Sequence, residues 1–465
     1  MIQLHTSAPF KTSSFNGRAE LDKGELFGNC PFHSSKNFPK DRMRPIAIFR
    51  HFLSIASSSL LCISCAHAAD VTWDITPGTV GIGNGSVTGG SGAWNTSTGN
   101  WTTNGGVNNL AWVNANNDTA IFSDTPGTIT LGTGITVGGL IFNTPDYNVA
   151  GSTLTFGTAG IITANENATI SSALAGSAIT KTGTGTLVLS GNNSYTGTMT
   201  VSAGALSIGD GITNGTLNGS YLINSPGTLR IRYNTSGVQA SWTGTTWNHF
   251  TGNGTLALAT GKSGDGWGSA ALTSDFTGTL QIGNGGAAGA LGAGAVTNNG
   301  TLVFNRSGTV NVGQFITGSG AVTQEGSGNV TLAGANNYLG ATTISAGTLT
   351  LGRNGALPTG SAVSIRGATL HAGTSINSAG TLGVTLGVMG PARIVFGSGA
   401  TLVFSNSSML NWTGFLQLGG NFISGASLRV GTTSGGLTAA QLQSLHLPWH
   451  LRHGLRGPDL LHPSL

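Results

Sequence analysis

The chain has 465 residues, of which 77 are glycine, 38% are hydrophobic and only 7% are charged. Such a composition excludes a charged, disordered tail and fits short strands joined by tight turns. The formal net charge of +4 belongs to the two ends, because residues 69–445 hold nine basic and ten acidic side chains; capture of nucleic acid by charge has no basis in that body.

Residues 1–42 are mixed and polar with no strand alternation, and they read as an upstream extension, with translation expected to start at Met43. From there Arg44 and Arg50 form a basic start, Phe52 to Ser64 an apolar stretch and Ala66-His67-Ala68 a small-x-small site. Residues 43–68 are therefore read as a secretory signal peptide. The apolar run of about 13 residues is short of the roughly 20 that a permanent spanning helix needs, so no transmembrane segment is expected in the mature chain. Cys65 after Ile63-Ser64 offers lipidation as an alternative, with Cys62 where such a site prefers leucine. Cys30, Cys62 and Cys65 all precede the body. That removes disulfides, thiolate metal sites and a cysteine nucleophile from it.

Residues 69–127 carry Trp73, Trp94, Trp101 and Trp112 in a Gly/Asn/Thr background. Two readings stand: an aromatic cap over the open end of a repeat array, and a platform on which sugars stack. From 128 to 445 short alternating runs recur, among them GTLVLSG, GTLRIRY, GTLALATG, GTLQIGNG and GTLTLG, each closed by a Gly- or Asn-containing turn. Strands this short are stable only when stacked, so the pattern predicts a solenoid. Fifteen to nineteen rungs at about 4.8 Å would give a rod of about 70–90 Å.

Ile179–Gly209 aligns without gaps on Val322–Gly352 with 14 of 31 positions identical, and DFTGTLQIGNG is a third, degenerate copy with Phe276 in the place of Tyr195 and Tyr338. In this unit Asn192-Asn193 suits an Asx or left-handed turn, and Tyr195 is expected to anchor the turn through its hydroxyl. Asn and Thr at equivalent turn positions are expected to stack as ladders.

These residues resemble the autotransporter-associated β-strand repeat, also called the passenger-associated transport repeat. The resemblance is carried by G-x-G-x-L-x-L-x-G-x-N-x-Y-x-G and S-A-G-x-L at 179–211 and 322–352, and by W-N-x-x-x-x-N-W with D-T-A-x-F near the start. It implies an all-β, right-handed parallel β-helix, a single elongated domain exported to the cell surface or the medium. The expected function is a structural or adhesive surface protein without catalysis, with surface glycans or extracellular matrix as partners. A carbohydrate-binding or polysaccharide-cleaving β-helix is the alternative.

Near the end, Thr438 and Gln441 are spaced as a capping box for a short helix. Residues 446–465, suddenly rich in His, Leu, Arg and Pro, read as an aberrant tail, and no run of barrel strands is expected there.

Chemistry has few footholds. No two acids of the body lie at i, i+2; Arg230 and Arg232 do, and are read as a solvated outer face rather than a substrate clamp. His249 and His371 are far apart in sequence, GKSGDGWG is one copy of a calcium loop that needs tandem copies, and Leu256 stands where a phosphate loop starting before Gly261-Lys262-Ser263 needs glycine. No catalytic, cofactor-binding or metal-ligating residue is assigned, and no cofactor is expected.

Overall fold

The structure, a computed structural model, describes residues 68–447 apart from 217, 234–249, 260–271, 274–275, 293 and 389. The upstream extension, the signal peptide up to residue 67, His249, GKSGDGWG and the tail beyond 447 lie outside the described residues.

The described chain is a parallel β-solenoid of about 13 turns. Its largest sheet stacks 14 strands in the order of the chain, from Gly92–Trp94 through Thr186–Leu189 and Ala205–Ile208 to Leu382–Thr385. An 11-stranded sheet flanks it in the N-terminal half, and a seven-stranded and a three-stranded sheet take over towards the C-terminus. The turns are fewer than the fifteen to nineteen expected because their length varies. The register advances 19 residues from Leu187 to Leu206 but 27 from Leu229 to Leu256.

Period-two alternation builds each rung. Thr186–Leu189, Thr228–Ile231 and Thr348–Leu351 bury every second side chain, and the register then stacks like on like. Leu187, Leu206, Leu229, Leu256, Leu280 and Leu302 pair in succession as one buried column. Each such leucine contributes about 1.5–3 kcal/mol of burial relative to exposure. The turn after Thr198–Val201 closes at Gly204 and its counterpart at Gly347, both at φ 58°; glycine holds that left-handed conformation at no steric cost.

The two repeat copies are one unit set one face apart. In the first, Ile179–Thr182 joins the 11-stranded sheet and Thr186–Leu189 the 14-stranded one. In the second, Ala321–Gln324 lies in the 14-stranded sheet and Asn329–Leu332 in the seven-stranded one. The exchange occurs where Thr301–Phe304 pairs with Ala321–Gln324.

Parallel pairing reaches back to Gly92–Trp94 and to Asp70–Trp73, which pairs with Thr119–Phe122. Antiparallel strand pairs are confined to Asp70–Trp73, Trp101–Thr102 and Asn109–Leu110 among the described residues. At the other end, Thr438 caps the helix Ala439–Gln443, and the expected capping box with Gln441 is formed.

Candidate functional surface

Each tryptophan of the N-terminal region points inward. Trp73, Trp94, Trp101 and Trp112 are buried, with ring centroids 4.6 Å apart for Trp94–Trp101, 4.9 Å for Trp101–Trp112 and 5.1 Å for Trp73–Trp101. Phe122 closes the cluster from the solenoid side. The Trp73 indole donates to the Gly90 carbonyl at 2.9 Å and Trp112 to Thr136 at 3.0 Å. A sugar needs an open ring face, and these faces are spent on one another. The rings therefore offer no open face as a sugar platform, and four large side chains fill the core at this point of the chain.

Inside the repeat, a strand that alternates must send Lys181 to the same side as Ile179, and it is fully buried. Its ammonium donates to the carbonyls of Gly183 and Gly185 at 2.7 Å and of Ala203 at 3.0 Å. Three donors meet three carbonyls of two successive turns, and the Gly185 carbonyl also accepts the Ala205 amide. Burial nevertheless pushes the amine down to about 8. The second copy solves the same problem with Gln324, whose amide donates to Gly326 at 2.7 Å and Gly328 at 3.2 Å. Between about pH 8 and 10.5 the unfolded chain holds a proton on this lysine that the folded chain has released, so stability should rise with pH across that window and be flat below it. Lys181→Gln should fold, as the second copy does, and lose that rise. Urea unfolding of parent and variant at pH 7 and pH 9.5 checks this; an equal pH response in both proteins refutes it.

Tyr195 and Tyr338 are the buried anchors of the Asn-x-Tyr turn. The Tyr195 hydroxyl meets that of Tyr221 on the next rung, and Tyr338 meets Thr342 at 2.6 Å. The Tyr195 anchor also takes a backbone hydrogen bond at Asn218 of the following loop, whereas the Tyr338 anchor is side chain to side chain. Burial raises both phenols to about 12. Asn193 accepts from the Leu174 amide at 3.1 Å and donates to the Thr216 carbonyl at 3.3 Å. Asn336 does the same between Ile316 and Ala356 at 2.9 and 2.8 Å. Outside, stacked pairs do form between rungs: Asn143 with Asn165 at 2.8 Å and Thr163 with Thr182 at 2.9 Å.

The residues between these anchors face water. Asn192, Ser194 and Thr196 alternate with buried Asn193 and Tyr195 and form one wall of an open cleft of about 500 Å³. Thr216 and Asn218 of the following loop form the other, and no charged residue lines it. A second surface feature is apolar: Leu386, Val388, Met409 and Phe415 are exposed on late rungs, with Phe415 packed edge-on against His446 at 4.9 Å.

Apart from buried Asp74, Asp118, Lys181 and Arg306, the charges among the described residues are dispersed over the outer face. Arg230 and Arg232 flank buried Ile231, and so project from one side. Burial pushes the Asp210 carboxyl up, but the backbone amides of Thr213 and Ile212, with Arg232 nearby, together outweigh it and hold the group below the usual carboxylate range. The His371 ring accepts from the Gly373 amide at 3.0 Å. Among the described residues no three His, Cys, Asp or Glu side chains gather as a metal site, and no helix is long and apolar enough to cross a membrane.

Comparison with known proteins adds two findings. The family model for the passenger-associated-transport-repeat matches residues 179–208 and 322–351. The chain is also 35% identical, over 397 residues, to "Adhesin BmaC autotransporter" of Brucella suis biovar 1 (strain 1330). That alignment covers 79% of this chain and 11% of the relative, so the chain spans about a ninth of the relative's length. No solved structure matches.

Proposed function

We propose that this passenger-associated-transport-repeat protein is an exported, adhesive β-solenoid that presents repeated neutral faces at the cell surface. The observation that carries the reading is the likeness of most of the chain to a stretch of an autotransporter adhesin, together with the unbroken parallel stacking of both repeats. A stack of this kind offers surface on every rung and no enclosed centre, which suits attachment through many weak contacts. Partners would be host surface glycans or extracellular matrix, and catalysis plays no part. Export would follow from the signal peptide at 43–68.

The test is expression of the full chain with its own leader in a Gram-negative host. Protease added to intact cells should cleave the chain, and the cells should attach to matrix-coated wells above an empty-vector control. A chain that stays protected inside the cell, or a surface chain that gives no gain in attachment, overturns the proposal. Neutral and acidic polysaccharides incubated with purified protein should release no reducing ends above background.

A further inference from the structure

The two repeat copies permit a comparison within one molecule. The buried turn residues are the same in both: Asn193 and Tyr195 in the first, Asn336 and Tyr338 in the second. The solvent-facing positions between them differ in chemistry. Asn192 and Thr196 of the first copy correspond to Ala335 and Leu339 of the second, and all four are exposed. The fold therefore has no need of polarity at 192 and 196. Yet the first copy carries it, and there Thr216, Asn218 and Gly219 stand off to leave the cleft.

The groups in that cleft suit a neutral, polyhydroxylated ligand. Thr216 donates to the Asn192 amide oxygen at 2.9 Å, and Asn218 donates to the Asn193 carbonyl. These bonds leave the Asn192 amide nitrogen and the Asn218 amide oxygen unpaired among the described residues. The Ser194 and Thr196 hydroxyls also lack a partner there. Amide nitrogens donate, amide oxygens accept and hydroxyls do both, which matches the mixed hydrogen bonding of a sugar ring. The absence of charge in the lining gives an anionic ligand nothing to pair with. The floor is stiff, because Tyr195 and Tyr221 are buried and bonded to each other beneath it. A volume of about 500 Å³ lies within the usual range for small-ligand sites.

We infer that the cleft between Asn192–Thr196 on one side and Thr216, Asn218 and Gly219 on the other binds one or two units of a neutral glycan. This names a partner for the adhesive reading above and rests on it for its biological use. Many copies displayed on one cell would turn weak single-site binding into firm attachment.

The test probes the purified full chain with an array of neutral hexose and N-acetylhexosamine oligosaccharides beside sialylated and sulfated ones. Neutral oligosaccharides should be retained and the anionic ones not. The double variant Asn192→Ala/Thr196→Leu writes the second copy's surface onto the first. It should keep the parent's unfolding temperature and lose about tenfold or more in binding, the scale of one or two hydrogen bonds. Asn218→Ala, on the opposite wall, should lose binding independently. Retention of no neutral glycan, or parental binding by these variants, overturns the inference. Cells that adhere without any glycan binding sink the cleft and leave adhesion standing; glycan binding without adhesion does the reverse.

Discussion

Gly197→Ala is expected not to accumulate as folded protein. A Cβ at position 197 would sit 1.1 Å from the Ser177 carbonyl oxygen, deep inside its van der Waals radius, and 2.3 Å from the carbonyl carbon. The obstacle is backbone of the preceding rung, so no side-chain rotation relieves it. The turn must move outward, and with it Tyr195 two residues earlier and the strand Thr198–Val201 that follows. The cost should exceed about 4 kcal/mol, beyond the ordinary range for a single substitution. Soluble yield and thermal unfolding followed by circular dichroism measure it; a parental melting temperature contradicts the packing described. Gly313→Ala is the matched control, because a Cβ there meets nothing within 4 Å, and a neutral or slightly stabilising result is expected.

The second large effect is Trp101→Ala, with an expected loss of about 3–5 kcal/mol. This indole touches Trp73, Trp94, Trp112 and Phe122 at once, so removal leaves a cavity walled by rings that cannot collapse into it. Its N–H is buried and has no hydrogen-bond partner among the described residues. Trp101→Phe should therefore cost markedly less than alanine, since phenylalanine keeps part of the ring and deletes an unsatisfied donor. Urea unfolding of the two variants beside the parent checks the order. Equal costs for alanine and phenylalanine would mean that the ring is not packed as described.

Much of this was legible in the sequence because period two and tight turns carry the solenoid almost alone. The alignment of Ile179–Gly209 on Val322–Gly352 located the repeats, and the Thr438–Gln441 spacing located the helix cap. Lys181 was harder, although its signal was present: two residues from Ile179 on a strand, it had to face inward, with Gln324 at the matching position of the other copy. A charge on the inner face is credible only once the Gly183, Gly185 and Ala203 carbonyls that surround it are known, and these come from two successive turns. The tryptophans gave composition without direction, so cap and sugar platform looked alike until the rings were seen to face one another. The cleft at Asn192 was not legible, because it depends on how far Thr216 and Asn218 stand from a turn about twenty residues earlier. The shift of the second copy by one face was hidden for a similar reason: turn length, 19 residues in one place and 27 in another, is set by loops that carry no periodic signal.

The way each rung pairs only with the rungs beside it has a mechanical consequence. The hydrogen bonds between rungs point along the stack, and the body between residues 69 and 445 has no cysteine to bridge one turn to another. Tension along that direction is expected to open the end rung first and leave the next intact. A released turn of about 20 residues lengthens to about 65–70 Å at the rise of an extended strand. A solenoid of this kind, pulled along its stack, is expected to lengthen in such steps, one turn at a time.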